Sequence, residues 1–357
     1  MGEDEPVIAM PAVQTIEEWV ELAHTEGLTD GLPVYPPTRA AVDALVMASG
    51  RDPGLLLGAI PPRGGAATVE VLAANAAMAG CRPEHFEVVL SAVEAMLEDR
   101  FNLRGVVTTT HPCWPLIIVS GPVVEQLQMA HAESVFSGGG AHAGAAIGRA
   151  VKLILWNVGG ATPGEPVKEV LGHPGRYAFC VAESPAGPWP PLHQARGIKA
   201  GSGVTVFACE SPTSVALWGT DDTPSNRLAQ LADAMALKGG NNTHTMGEIL
   251  VIFTPNEARH LFEQGYDREA VQLDLWQRAR RRIGDLLAPG LPPYNWWPAW
   301  VDAGDPDTLV PVTERPEDIH VVVTGAESIP WMAVCAGWGN LGGHAVSRAL
   351  DEGTGQD

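Results

Sequence analysis

The apolar positions of this chain fall into two patterns, short continuous runs and longer segments with helical spacing. Continuous apolar runs are typical of strands that are covered on both faces of a sheet. Such runs predict strands at residues 55–60, 105–110, 116–120, 177–182, 204–209, 248–254 and 319–324.

The segments with helical spacing carry apolar residues three and four positions apart, and most begin at a residue that can cap a helix. In the first, Thr15 and Glu18 form a predicted capping box, and the helical pattern stops near Gly27. Further helices are predicted at residues 38–49, 68–79, 83–97, 141–156, 225–237, 255–264 and 267–283.

Strands and helices alternate along most of the chain, which favours an α/β fold in which helices flank a layered mixed or parallel sheet. The Pro- and Gly-rich residues 184–203 interrupt this pattern. They predict a linker or functional loop between an N-terminal α/β region, residues 1–183, and a C-terminal α/β region, residues 204–357. Similar turns follow three of the predicted strands, so two similar subdomains are an open alternative.

Composition limits the location and the partners of the protein. The 357 residues carry a net charge of −20, which disfavours binding to nucleic acid and to anionic membrane surfaces. No apolar run reaches the length of about 18 residues that a membrane-spanning helix needs, and the acidic start of the chain lacks a signal peptide's apolar core. We therefore expect a cytoplasmic protein with free thiols. The Trp- and Pro-rich residues 189–191 and 294–300 suit a homo-oligomer contact or the wall of a substrate pocket.

Standard catalytic signatures are absent from the sequence. It contains no Cys-x-x-Cys, His-Glu-x-x-His, Gly-x-Ser-x-Gly or Walker-type pattern, which argues against structural zinc, zincin proteases, nucleophile-elbow hydrolases and P-loop nucleotidases. Residues 138–144 match a dinucleotide-binding pattern only formally, because no clear strand precedes them and no acidic residue follows about 20 positions later. No nucleotide cofactor is expected.

The loop at residues 108–115 carries a reactive-looking cluster, in which Thr109 and Thr110 precede His111 and Cys113. The spacing of two lets the His111 imidazole approach the Cys113 thiol and lower its pKa, which would give a nucleophilic thiolate. A cysteine that packs in the core is the alternative.

A second loop is predicted after the last strand, where Cys335 and His344 lie among several glycines. Cys335 is therefore a second candidate nucleophile, and His344 is a candidate acid–base group. Thiolate and imidazole are also ligands of divalent transition metals, so a metal site built from these cysteines and histidines is an alternative.

Two further segments are candidates for substrate binding. Gly140 and His142 lie at the start of a predicted helix, whose free backbone amides could hold a carboxylate or phosphate, and Arg149 would add a positive charge. Close helix packing is the alternative role of the glycines.

Asn241, Asn242 and His244 form a polar loop before the strand at residues 248–254. Their amide and imidazole groups could orient a substrate. Asn is also an ordinary turn residue, so a purely structural role is the alternative.

Four segments carry a family resemblance, namely Asp30-Gly31-Leu32-Pro33, Asn75-Ala76-Ala77-Met78-Ala79-Gly80-Cys81, Ile147-Gly148-Arg149-Ala150 and Asn157-Val158-Gly159-Gly160-Ala161. They resemble bacterial proteins of the UGSC-like family, named for a selenocysteine-Gly-Ser-Cys signature, over most of the chain. The resemblance implies thiol or redox chemistry. This chain contains no Cys-Gly-Ser-Cys, and Cys335-Ala336-Gly337-Trp338 lacks the second sulfur, which argues against a dithiol mechanism.

These patterns predict a soluble enzyme that acts on a small anionic metabolite through a site with Cys and His, by thiol-based covalent or redox chemistry. A metal-dependent lyase or hydrolase is one alternative. A non-catalytic subunit of a larger assembly is another.

Overall fold

The computed structural model describes residues 15–137, 139–164, 166–199, 201–218, 221–287, 297–340 and 342–350. Within these ranges the chain forms mixed parallel and antiparallel sheets with flanking helices, which confirms the predicted α/β class. No helix in these ranges combines the length and the apolar character needed to cross a bilayer.

The helices begin where the sequence places capping side chains. Thr15, Thr38, Thr68, Thr223 and Asp267 each accept a backbone N–H bond at a helix start. The α-helices are α1 (Ile16–Thr25), α2 (Arg39–Ser49), α3 (Val69–Met78), α4 (Phe86–Met96), α5 (Leu103–Thr108), α6 (Val123–Gln126), α7 (His142–Asn157), α8 (Leu192–Ala195), α9 (Pro224–Met235), α10 (Asn241–Thr245), α11 (Pro255–Glu263), α12 (Arg268–Arg278) and α13 (Ile283–Leu286).

Four of the longer strands are buried along their whole length, as their continuous apolar sequences predict, namely those at residues 114–120, 203–209, 249–253 and 319–323. The strands are β1 (Leu56–Ile60), β2 (Gly65–Thr68), β3 (Trp114–Ser120), β4 (Cys180–Ala182), β5 (Gly203–Cys209), β6 (Thr213–Ala216), β7 (Ile249–Phe253), β8 (Arg280–Arg282), β9 (Leu309–Pro311), β10 (Ile319–Val323), β11 (Trp331–Ala336) and β12 (Val346–Ala349).

One predicted strand is wrong. Residues 105–110 lie mostly in helix α5, where Asn102 Oδ1 accepts the Gly105 N–H at 3.2 Å and so caps the helix start. A short apolar run does not distinguish a strand from a buried helical turn, and the capping residue decides the outcome here.

Two four-stranded sheets share one strand pattern. The first has the order β12-β5-β3-β4 and the second has the order β10-β7-β11-β6. In each sheet one central strand pairs in parallel with an edge strand, β3 with β4 and β7 with β10. The remaining pairs in both sheets are antiparallel.

The two sheets exchange their fourth strands. β6 follows β5 along the chain but pairs with β11, whereas β12 follows β11 but pairs with β5. The sheets therefore do not follow the predicted division at residues 184–203, because β5 and β12 lie after this segment and complete the sheet of β3 and β4. The shared pattern suits two similar α/β units that have exchanged a strand.

The sheets pack face to face, and helices cover their outer faces. On β7, Ile249, Val251 and Phe253 join a core with α9, α11 and α12, whereas Leu250 and Ile252 join the core of the first sheet. That first core also contains apolar side chains of α3, α4 and α7. The resulting helix–sheet–sheet–helix layering brings the start of β3 and β7 and the end of β5 and β11 to one region.

The Trp-rich segments lie only partly within the described residues. Residues 288–296 fall outside them, so the predicted subunit contact at 294–300 is described only from Trp297 onward. Trp189 is buried and donates from Nε1 to the Tyr266 carbonyl at 3.0 Å, and Trp297 is also buried. Trp189 and Trp297 therefore stabilise the core, while Trp300 is exposed.

Candidate functional site

The loop between α5 and β3 contacts the segments that follow β5 and β11. His111 Nε2 lies 2.6 Å from Oε1 of Glu210, the residue after β5. The indole of Trp338 donates to Thr109 Oγ1 at 3.3 Å. On the other side of the loop, the Val170 N–H donates to the Thr110 carbonyl at 3.2 Å. The structure thus brings the loop beside residues 335–344 and pairs its histidine with a carboxylate that the sequence did not single out.

The two candidate thiols lie in the first core. Cys113 is 1% exposed and Cys335 is fully buried. Burial raises the pKa of Cys113 to about 12, so its thiol stays protonated at neutral pH. A nucleophile must be deprotonated and reachable, whereas Cys113 is neither and Cys335 is buried out of reach. These cysteines therefore fit the alternative interpretation, in which the thiols pack as small apolar groups.

Arg149 on α7 is occupied by the chain itself. Its guanidinium binds Asp30 Oδ1 at 2.9 Å and the carbonyls of Leu32 and Pro33 at 3.0 and 2.8 Å. These bonds use the Nη1 and Nη2 donors, so Arg149 fixes the segment at residues 30–33, and its role in binding an anion stays a prediction.

Gly140 and His142 lie elsewhere. Gly140 has a positive φ of 79° in the turn before α7, a conformation that suits glycine. The ring of His142 lies 5.4 Å from the ring of His85. Within the described residues, no ring contact joins this pair to His111 or His344.

Asn241 and Asn242 on α10 hold the backbone after β11. Asn242 Oδ1 accepts the Gly337 N–H at 2.9 Å, and the Asn241 amide donates to the Gly337 carbonyl at 3.1 Å. A Cβ at Gly337 would lie 2.1 Å from the Glu248 carbonyl, so only glycine fits there. His244 Nε2 lies 3.0 Å from the Lys238 carbonyl. These bonds support the structural alternative for the loop.

A hydrogen-bonded series of charged groups surrounds Glu248. Its Oε2 lies 2.7 Å from His320 Nε2, its Oε1 lies 3.1 Å from His344 Nδ1, and the Ala345 N–H donates to Oε2 at 2.6 Å. Arg196 Nη1 is 3.4 Å from His320 Nδ1. Burial acts to raise the pKa of Glu248, but the histidines and the backbone bond outweigh it and hold this pKa well below its usual range.

His344 belongs to a cavity of about 350 Å³ that Glu248, Arg315 and Asn340 also line. The bond to Glu248 raises the pKa of His344. With Nδ1 turned to the carboxylate, Nε2 is the ring atom left for proton transfer. The two histidines bind different oxygens of Glu248, and no group of three or more His, Cys, Asp or Glu side chains in the described ranges is placed to hold a metal ion.

A larger cavity, of about 530 Å³, lies between α7 and residues 163–177. Its walls are partly aromatic and partly charged, a combination typical of small-molecule sites. The lining includes Asp30, Lys152, Trp156, Glu169, His173 and Arg176.

Lys152 is the most unusual group in this cavity. Its side chain is 7% exposed, and its ammonium lies 5.0 Å from the ring centre of Trp114 and 4.8 Å from that of Trp156. No salt bridge of the described residues includes it. Burial and the nearby Arg176 lower the pKa of Lys152 to about 8, although Asp30 partly opposes the shift.

Arg176 forms the opposite side of the cavity. Its guanidinium stacks 4.0 Å from the centre of the Trp114 ring and pairs with Glu169. Burial lowers the pKa of Arg176 to about 10, so it remains charged at neutral pH. Trp114, the first residue of β3, thus contacts two cations that both line the same cavity.

The sequence patterns did not select Lys152, His173 or Arg176 as site residues. One signal was present: Lys152 interrupts the apolar stretch at residues 150–155, all of which are buried on α7. A lysine inside such a stretch must either extend its ammonium to the surface or occupy a cavity. His173 and Arg176 lie in a Gly- and Pro-containing segment that has no periodic pattern of apolar residues.

The segments that carry the family resemblance meet around α7. Asp30 binds Arg149, and Asn157 Nδ2 donates to Asn75 Oδ1 at 2.9 Å, so these segments support the helix that carries Lys152. Comparisons with protein-family models, with curated proteins and with solved structures find no match. The resemblance therefore stays a prediction, and the function is inferred from the site itself.

Proposed function

We propose that the protein is an enzyme that acts on a small carbonyl compound bearing a carboxylate, with the Lys152 amine as its nucleophile. One observation carries the proposal. Lys152 is buried between two indole rings at a cavity of about 530 Å³, without a salt bridge to any described residue. Lysine is rarely this buried unless it is paired, and a lysine activated for chemistry needs this kind of environment.

The chemistry follows from the state of the amine. With a pKa of about 8, a substantial fraction of Lys152 is neutral at pH 7 to 8. The lone pair of the neutral amine attacks the carbonyl carbon and forms an N–C bond. Transfer of one amine proton to the carbonyl oxygen gives a carbinolamine, and a second proton from solvent lets its hydroxyl leave as water, which breaks the C–O bond and leaves a protonated imine. Desolvation and a neighbouring cation are established ways to activate a lysine for this step.

The charges of the lining support an anionic substrate. Arg149 pairs with Asp30, and Arg176 pairs with Glu169, so each of these carboxylates already has a cation. The described lining residues thus include two carboxylates and two cations, but Asp30 is held by Arg149 from outside the lining, so Lys152 has no salt bridge of its own in the cavity. A substrate carboxylate beside Arg176 would accept hydrogen bonds from N–H groups of the guanidinium that do not bind Glu169.

The proposal keeps the small anionic metabolite expected from the sequence and replaces the thiol with an amine. The change follows from burial, because the thiols are sealed in the core whereas Lys152 borders a cavity. The residues 108–115 then contribute Trp114, which contacts both Lys152 and Arg176.

Borohydride trapping tests the proposal. The protein is incubated with pyruvate, 2-oxoglutarate, phenylpyruvate or acetoacetate, reduced with sodium borohydride, and mapped by mass spectrometry. We expect at least one compound to give a stable adduct of one per chain on Lys152. The chain has four lysines, and the exposed Lys238 is an internal control. Adducts spread equally over the four lysines, or none with any compound, would contradict the proposal.

A further inference from the structure

His173 has an unusual place in the same cavity. It lies between Gly172 and a 3-10 helix at Pro174–Tyr177, and it lines the cavity with Lys152 and Arg176. Its ring packs edge-on against Phe179, with the ring centres 5.1 Å apart. Both ring nitrogens are buried, and neither has a hydrogen-bond partner among the described residues.

Buried polar atoms are normally paired, so an imidazole with two unpaired nitrogens needs an explanation. Apolar packing alone does not supply one, because a phenylalanine or leucine would fill this space without that penalty. A group that is kept ready for a ligand does explain it, since a bound molecule would satisfy one or both nitrogens.

The surroundings keep this imidazole neutral. Burial lowers the pKa of His173 to about 4, with Glu210 acting to raise it and His111 acting to lower it further. Lys152 and Arg176 line the same cavity, and Glu169 pairs with Arg176. At neutral pH one nitrogen of His173 therefore carries a proton and the other offers a lone pair.

We infer that His173 is the acid–base group of the Lys152 site, and that it removes a proton from the carbon next to the imine carbon of an oxo-carboxylate bound to Lys152. This inference rests on the proposed function. It assigns the site to proton transfer at carbon, which is a step common to lyases and isomerases that use an imine.

The unprotonated His173 nitrogen takes the proton from the carbon next to the iminium carbon, and the electrons of the broken C–H bond form a C=C bond. The iminium C=N bond becomes a single bond, and its electrons neutralise the nitrogen. The product is an enamine with an imidazolium beside it, and return of the proton, or of a deuteron from solvent, reverses the step.

Hydrogen exchange separates this role from a structural one. In D2O, the protein is incubated with whichever of pyruvate, 2-oxoglutarate, phenylpyruvate and acetoacetate gives the highest adduct yield, and loss of the C–H signal next to the carbonyl is followed by NMR. We expect His173→Asn to slow the enzyme-dependent exchange about 10²–10⁴-fold, the usual contribution of a general base, while borohydride adduct formation on Lys152 stays within about twofold. His24→Asn, on the exposed surface of α1, is the matched control and should leave both measurements unchanged.

Three other outcomes are decisive. Exchange at the wild-type rate in His173→Asn overturns the role of His173 and leaves the proposed function standing. Equal loss of adduct and of exchange in this variant shows a structural role and also overturns the inference. No adduct on the wild-type protein overturns the proposed function and the inference together.

Discussion

Replacing Lys152 with methionine is expected to give a protein that forms no imine and is more stable than the wild type. Methionine keeps most of the volume of the side chain but has neither charge nor nucleophile, so borohydride adducts should disappear completely. Loss of an essential nucleophile lowers turnover by up to about 10⁶-fold. Lys238→Met, which removes an exposed lysine, is the matched control and should retain wild-type adduct formation.

The gain in stability follows from the lowered pKa. The pKa of Lys152 falls from the ordinary 10.5 to about 8 in the folded state, so burying the charged ammonium costs about 3 kcal/mol of folding free energy. Loss of two cation–π contacts offsets about 1 kcal/mol each, so we expect the free energy of unfolding to rise by about 1–3 kcal/mol at pH 7.

The pH dependence has a defined sign. Below about pH 8 both the folded and the unfolded states carry the Lys152 charge, and its burial destabilises the fold in full. As the pH rises from 8 towards 10.5, the folded lysine loses its proton first, so the difference between the Lys152→Met variant and the wild type should shrink. Urea unfolding at several pH values measures this. A variant less stable than the wild type at pH 7 would mean that Lys152 stabilises the fold.

Replacing Glu248 with glutamine is expected to lower the free energy of unfolding by about 3 kcal/mol at pH 7. The Glu248 carboxylate lies just before β7 and binds His320 on β10, and also binds His344 and Ala345 just before β12. It therefore joins the second sheet to the strand that crosses back to the first. A neutral amide leaves both histidines without a charged acceptor, and one of them then faces an NH2 donor instead of an oxygen.

This stabilisation depends on pH in both directions. Because the pKa of Glu248 is depressed in the folded state, its contribution is present above the ordinary value of 4.5 and is lost as the pH falls below that value. Because the pKa of His344 is raised, its contribution is present below 6.5 and is lost as the pH rises through the folded value.

Glu314→Gln is the matched control for Glu248→Gln, since Glu314 lines the same cavity but is exposed. Urea unfolding at pH 4, 6 and 8 measures how far each variant differs from the wild type in its free energy of unfolding. If the two variants have the same stability within about 0.5 kcal/mol at pH 6, the Glu248 contacts do not hold the exchanged strand.

Three of the four central strands, β3, β5 and β7, could be predicted from sequence, because burial on both faces requires continuous apolar residues. The fourth, β11, is also apolar along residues 331–336, but no strand was predicted there. The strands β6 and β12 lie at sheet edges with exposed positions, so they lack that pattern and no strand was predicted there. The exchange of these strands between the sheets could not be predicted from sequence either. Val346 pairs with Val206, and a pairing between residues so far apart in the chain is set by tertiary packing.

The candidate site shows the same limit. Sequence indicated where reactive residue types cluster: His111 does lie beside Glu210, and the neighbouring Trp114 contacts two residues of the larger cavity. It could not show that Cys113 and Cys335 point into a core while Lys152 borders a cavity, because exposure depends on packing between segments distant in the chain. Glu210 and His173 were missed for that reason, since neither belongs to a motif.

Competitive labelling of the four lysines tests the central claim, that Lys152 is a reactive, accessible amine, without knowledge of the substrate. Trace acetic anhydride is added to the native protein from pH 6 to 11, and the acetylation rate of each lysine is measured by mass spectrometry. We expect the rate at Lys152 to level off just above pH 8, because burial lowers its pKa from the ordinary 10.5 to about 8. A rate at Lys152 that keeps rising towards pH 10.5, or that is measurable only after unfolding, would contradict the claim.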